Sequence, residues 1–210
     1  MKREALIQLG TMALSLAVSS LTLSAASEDP SIAAARKILA AHQDSVLWIS
    51  GVCKVSFTAE GSADQPVSIQ DQERKVEVLG TVIGTNGLLV TALSGIDPAR
   101  EVSGREVTTA AGRVRLEASS VLKEVEIIMP DGVEVPAEVV MKDMDLDLAL
   151  LQAKPDSKEF AEAMNKAVDL KDSAKVAIAD EVVSLNRADE VLNRQPAVLN
   201  GQVNVLVKKP

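Results

Sequence analysis

Gly80-Thr81-Val82-Ile83-Gly84-Thr85-Asn86-Gly87-Leu88-Leu89-Val90-Thr91-Ala92-Leu93-Ser94 decides how this chain is read. Two Val- and Leu-rich runs flank Gly84-Thr85-Asn86-Gly87, and an Asn-Gly pair between such runs signals a hairpin. The spacing predicts strands over 75–83 and 88–92. A second hairpin signal follows, where 122–129 and 133–141 are separated by Pro130-Asp131-Gly132. Next comes Asp143-Met144-Asp145-Leu146-Asp147-Leu148-Ala149-Leu150-Leu151. Its end, 146–152, is nearly all apolar, as expected of a strand buried on both faces.

Upstream, Val46, Trp48, Ser50, Val52 and Val55 alternate broadly, so 45–57 reads as the first strand. Residues 59–72 are polar and carry Gly61 and Pro66, and they read as a loop with a short strand at best. Asp29-Pro30 is an N-cap followed by proline at the first helical position. Ile32, Ala35, Ile38 and Leu39 then recur at helical spacing and predict a short helix ending near 42–44. Downstream, 105–109 and 113–118 can pair across Ala111-Gly112 as an extra hairpin. A short helix is predicted over 158–167, with Phe160, Ala163, Met164 and Ala167 on one face. Strands are predicted over 174–178, 181–185 and 197–207, the last bent at Asn200-Gly201. Many short strands, few helices and frequent turns define an all-β class, barrel or sandwich.

Composition narrows the chemistry. Apolar residues make up 47% of the 210 but aromatics only 1%, so the core is built from Val, Leu, Ile and Ala. The net charge of -8 argues against nucleic acid, because phosphate binding needs clustered Lys and Arg. Lys2 and Arg3, the apolar run from Met12 to Leu23, and Ser24-Ala25-Ala26 together read as a signal peptide over 1–26. The expected destination is secreted or periplasmic. The apolar run is short against the roughly 20 residues of a spanning helix, so no membrane span is expected after cleavage. Cys53 is alone, cannot form an internal disulfide, and reads as a small buried hydrophobe in a strand. His42 is the one histidine in the chain and falls before the strands begin, so it reads as a surface helix residue. No Cys/His cluster able to hold zinc occurs.

In order and spacing these pieces resemble the trypsin-like serine proteases of the HtrA/Deg family over roughly 44–205. Gly80, Ile83, Gly87 and Thr91 resemble the family's first glycine-rich strand pair, with Val78 where an early glycine is expected. Asp131-Gly132 with Pro136-Ala137 resembles its D-G hairpin, and Asp143 with Asp147-Leu148-Ala149-Leu150-Leu151 fits its D-x-x-x-D-L-A-L-L pattern without gaps. Residues 170–173 and 179–186 resemble the linker into the second barrel, and 197–206 its first glycine-bearing strand, with Gly201 in place. The resemblance implies a trypsin-like β-barrel. Its parts are a signal peptide at 1–26, an N-terminal helix at 27–44, and a complete first barrel at 45–154. A connector helix and linker at 155–172 and a partial second barrel at 173–210 follow.

The family's chemistry requires a nucleophilic Ser, a His as general base and an Asp that orients it. On the resemblance Asp147 falls on the Asp position, but Ser94 falls on the His position. Serine cannot accept a proton near neutral pH as imidazole does. The family's G-N-S-G-G nucleophile loop is not found, and Pro210 comes before it would appear. Ser157, Ser173 and Ser184 lack its glycine context. The expectation is a pseudo-protease with no intact catalytic residue, no cofactor and no metal, which binds a peptide or protein in the envelope. Asp147 is then a carboxylate at a strand start, bonded to nearby backbone N–H groups. Two alternatives stay open: a serine endopeptidase of proteolysis or quality control whose missing parts come from elsewhere, and a structural envelope protein. Asp143, Asp145 and Asp147 would share one face in an extended strand, which raises calcium as a further reading. It lacks the glycine and glutamate of an EF-hand loop and the six to eight oxygens calcium takes.

Overall fold

Seven strands form one antiparallel sheet that closes on itself, seen in a computed structural model that describes residues 29–60, 67–109, 112–154, 166–171 and 175–207. Helix α1 (Pro30–His42) leads into β1 (Val46–Glu60) and β2 (Val67–Gly84). Then come β3 (Leu88–Ala92), the single-turn helix α2 (Leu93–Ile96) and a 3-10 turn at Pro98–Glu101. Strands β4 (Glu106–Thr109), β5 (Gly112–Ile128), β6 (Glu134–Asp143) and β7 (Leu148–Ala153) complete the sheet. The neighbours run β1-β2-β3-β7-β6-β5-β4, and β1 also pairs with β5. That last pairing closes six strands into a barrel and leaves β4 as an extra strand on β5. A separate hairpin follows, β8 (Glu181–Arg187) with β9 (Pro196–Gln202). Of the barrel and the sandwich, which the strand pattern left open, the all-β barrel is the fold observed. No described helix is long and apolar enough to cross a membrane.

Local chemistry explains the turns. Gly87, at φ +86°, closes the Gly84–Gly87 turn, and its N–H donates to the Gly84 carbonyl (3.0 Å). The Pro130-Asp131-Gly132 turn is held twice: the Gly132 N–H donates to Met129 (2.9 Å), and the Val133 N–H to the Asp131 carboxylate (3.1 Å). Asp29 caps α1 by accepting from the Ser31 N–H (2.9 Å). The barrel interior is aliphatic, as composition predicted. Leu47, Ile49, Val82, Leu89, Ile127 and Leu151 are fully buried and pack in one cluster with Leu93 and Ile96 of α2. Cys53 is buried on β1, also as predicted.

Several expectations are corrected. Residues 59–60 and 67–72 are strand rather than loop, since β1 and β2 pair from Val46↔Thr81 out to Ala59↔Val67, while 61–66 lie outside the described residues. The predicted strands at 113–118 and 122–129 are one continuous β5. The strand expected over 174–178 is absent from 175–178. There the Asp180 carboxylate accepts from the Ala177 N–H (2.7 Å), and Ala179 turns at φ +74°. Strand β9 stops at Gln202, short of 207. The helix face of Ile32 and Ile38 stays largely exposed, and α1 buries Ala35 alone. The signal peptide at 1–26, Ser157, Ser173 and nearly all of the 158–167 helix lie outside the described residues.

The β8–β9 hairpin is tied to the barrel by two side chains. The Trp48 indole N–H on β1 donates to the Ala188 carbonyl (2.9 Å). The Arg187 guanidinium, nearly buried, donates to the carbonyls of Val46, Gln43 (2.7 Å) and Arg194 (3.2 Å).

Candidate functional site

Asp147 and Ser94 meet where β7 begins and β3 ends. The two strands pair from Leu88↔Gln152 to Ala92↔Leu148, so the residues just beyond that ladder sit face to face. The Ser94 N–H donates to Asp147 Oδ1 (2.9 Å), and the Ser94 hydroxyl to Oδ2 (2.7 Å). The Leu93 N–H donates to the Asp147 carbonyl (2.9 Å). Asp147 thus satisfies two orphan amides at the start of α2, a cap supplied from a distant strand. Its φ of +55° turns the chain so that carbonyl and carboxylate both face α2. Aspartate tolerates that conformation better than most residues.

Arg100 completes the cluster. The 3-10 turn at Pro98–Glu101 carries its guanidinium onto Asp147 Oδ1 and near the Met144 carbonyl. The Ser94 hydroxyl, above all, holds the Asp147 carboxyl below the usual carboxylate range; the Ser94 amide and Arg100 act in the same sense against partial desolvation. A carboxylate acidified in this way is a weaker base, so it does little to activate the Ser94 hydroxyl. The arrangement fixes a corner of the barrel and holds a charge; it contains no proton acceptor of the imidazole kind.

The structure separates the other candidates from this corner. His42 is exposed at the end of α1. Ser184 is exposed on β8, apart from any glycine loop. The three carboxylates Asp143, Asp145 and Asp147 do not share a strand face, contrary to the extended reading. Residues 144–147 turn, and Asp143 Oδ1 accepts from the Asp145 and Leu146 amides (3.0 and 2.9 Å). Among the described residues no group of three or more His, Cys, Asp or Glu could hold a metal ion. Val78, where an early glycine was expected, is accommodated by Gly95, where a Cβ would approach Val78 Cγ2 to 2.6 Å.

Arg100 was missed by sequence reading. Asp97-Pro98 signals a turn, but nothing local says that the following Arg points at residue 147.

No protein-family model matches this chain, and no curated protein matches it significantly. What fold and site define together is an all-β protein on a closed six-stranded antiparallel barrel, compatible with a trypsin-like barrel. One corner of it carries the Ser94–Asp147–Arg100 cluster.

Proposed function

We propose that the chain is an exported, catalytically inert homologue of the HtrA/Deg-type serine proteases that works by holding a peptide or protein segment. The observation that carries this reading is the Asp147 carboxylate held by three donors, none of them an imidazole. In a working triad that carboxylate orients an imidazole. Here its donors are a serine hydroxyl, a backbone amide and a guanidinium. Without a base beside it, a serine hydroxyl is a poor nucleophile. Export rests on the basic start and apolar run of 1–26. A binding role rests on strands that have a described neighbour on one side only, β4 on the barrel and β8 and β9 beside it, because such edges can accept a further strand.

The test is a serine-directed fluorophosphonate probe and a panel of peptide substrates on the purified full chain. No serine is labelled and no peptide is cut, and the same holds for Ser94→His, because an imidazole alone supplies no nucleophile. Stoichiometric labelling of one serine in the parent chain overturns the reading in favour of a working endopeptidase.

A further inference from the structure

The barrel wall opens between β5 and β6. Their ladder has three pairs, Glu126↔Pro136, Ile127↔Val135 and Ile128↔Glu134, and ends there. Beyond it β5 keeps β1 on one side, and β6 keeps β7. On its other side the β5 main chain is bonded as far as Ala118, where the Gly104 N–H donates to the Leu116 carbonyl (2.7 Å) and the Ala118 N–H to Ser103 Oγ (3.1 Å); just beyond, the Ser120 hydroxyl donates to the Asp97 carboxylate. From 119 to 125 on β5, and from Ala137 onward on β6, no described strand pairs with the facing edges. The open stretch of β5 is roughly 20 Å long at ~3.3 Å per residue.

Two bulges account for the divergence. Leu122 and Glu124 face the adjacent Cys53 and Val52, so Lys123 is an extra residue on β5. Val139 and Met141 face the adjacent Leu151 and Leu150, so Val140 is an extra residue on β6. A bulge bends its strand and sharpens its twist, and here adjacent strands each carry one where they part. The Met129 N–H donates to the Val133 carbonyl (2.8 Å), which fixes which peptide groups face across. Alternation then aims those of Val125, Ala137 and Val139 into the opening.

The opening is a groove of about 460 Å³. Val121, Val125 and Val139 give it apolar walls, while Lys123, Lys142 and Lys154 line it against a single acid, Glu138. Lys123 is drawn across β1 to Glu73 on β2 (2.5 Å) and Lys154 stands 3.9 Å from Glu138, whereas Lys142 has no ion-pair partner among the described residues. The net positive charge of the slot is therefore that of Lys142, in a chain of net charge -8.

We propose that this slot takes an acidic peptide in extended form, added as a strand along the free edges of β5 and β6. Main-chain bonds to the free edges hold it, and the valines and lysines select alternating apolar and acidic side chains. The proposal rests on the binding reading above and gives it a place and a partner class.

The test uses the full chain and a fluorescent peptide of about eight residues, a common strand length, alternating Glu and Val. Controls are its Lys–Val counterpart and a version N-methylated at alternate amides. Anisotropy shows binding of the Glu–Val peptide alone, weakened about tenfold by Lys142→Glu with Lys154→Glu. Amide exchange slows over 119–125 and 137–143 on binding. Equal binding of the Lys–Val or N-methylated peptide, no binding at all, or protection confined to β8–β9 overturns the slot. The last of these leaves the inert, peptide-holding reading standing. Cleavage of the bound probe overturns that reading instead, even where the slot is protected.

Discussion

The Asp147 carboxylate meets three donors, the amide and hydroxyl of Ser94 and the guanidinium of Arg100. The Ser94 hydroxyl, above all, holds the Asp147 pKa below the ordinary aspartate range, so unfolding takes up protons as the pH falls. The stabilisation it gives is complete above the unfolded value and is lost as pH falls through the folded one. Melting temperature measured from pH 2 to pH 7 should therefore drop at the acid end in the parent. Asp147→Asn should melt below the parent at neutral pH and show a shallower acid limb. Parallel curves for the two proteins would mean that this corner is not held by the ionised carboxylate. The Ser94–Asp147 contact was legible only through the resemblance, on which the two residues fall at neighbouring triad positions; the β3–β7 ladder that joins them was not readable from the chain. Arg100 was not legible either, since its aim depends on where the 3-10 turn lands after folding. Nor was the turn at Asp143–Asp147. A period-two run of aspartates looks extended, but the Asp143 side chain competes for the amides two and three residues on.

Among the elements, the β8–β9 hairpin depends most on a few contacts. Arg187 links it to Val46 and Gln43, and its side chain is only 5% exposed. Arg187→Ala leaves three carbonyls short of a donor, and we expect a loss of about 3 kcal/mol. Arg187→Lys keeps the charge but not the planar fork, and should lose about half as much. Trp48 is the one tryptophan, and its indole is bonded to this hairpin, so its fluorescence reports docking. Denaturant titration followed by tryptophan emission checks the point. Red-shifted emission before the main transition is expected for Arg187→Ala; an unchanged emission and midpoint would dismiss the role. The hairpin around Gly84–Gly87 was readable because an Asn-Gly turn is strong local chemistry. The long arms of β1 and β2 were not. Their outer parts are polar, and they are held by ladder bonds and exposed pairs such as Lys54–Asp71 (2.5 Å) rather than by alternating apolar residues. The unbroken run of β5 was equally hidden, because Ser119-Ser120 looks like a break yet lies in the β1 ladder.

For the molecule as a whole, closure hangs on β1, which has β2 on one side and β5 on the other. Gly51 sits in that seam. A Cβ there would lie 2.7 Å from the Glu124 carbonyl and 2.9 Å from Leu122 Cδ1. Backbone cannot move aside as a flexible side chain can, so Gly51→Ala should cost about 1–3 kcal/mol. Urea unfolding measures it, and a midpoint matching the parent would show that the seam tolerates the methyl group. The same seam dictates an order of events. Trp48 meets Ile128, its partner across the seam, only after eighty further residues have been made. A chain still emerging from the ribosome holds a half-zipped sleeve whose first strand has one claimed edge and one bare one. Joining ends so remote is slow, on the order of milliseconds to seconds, and for that interval the bare edge is as ready to meet a neighbouring nascent chain as its own.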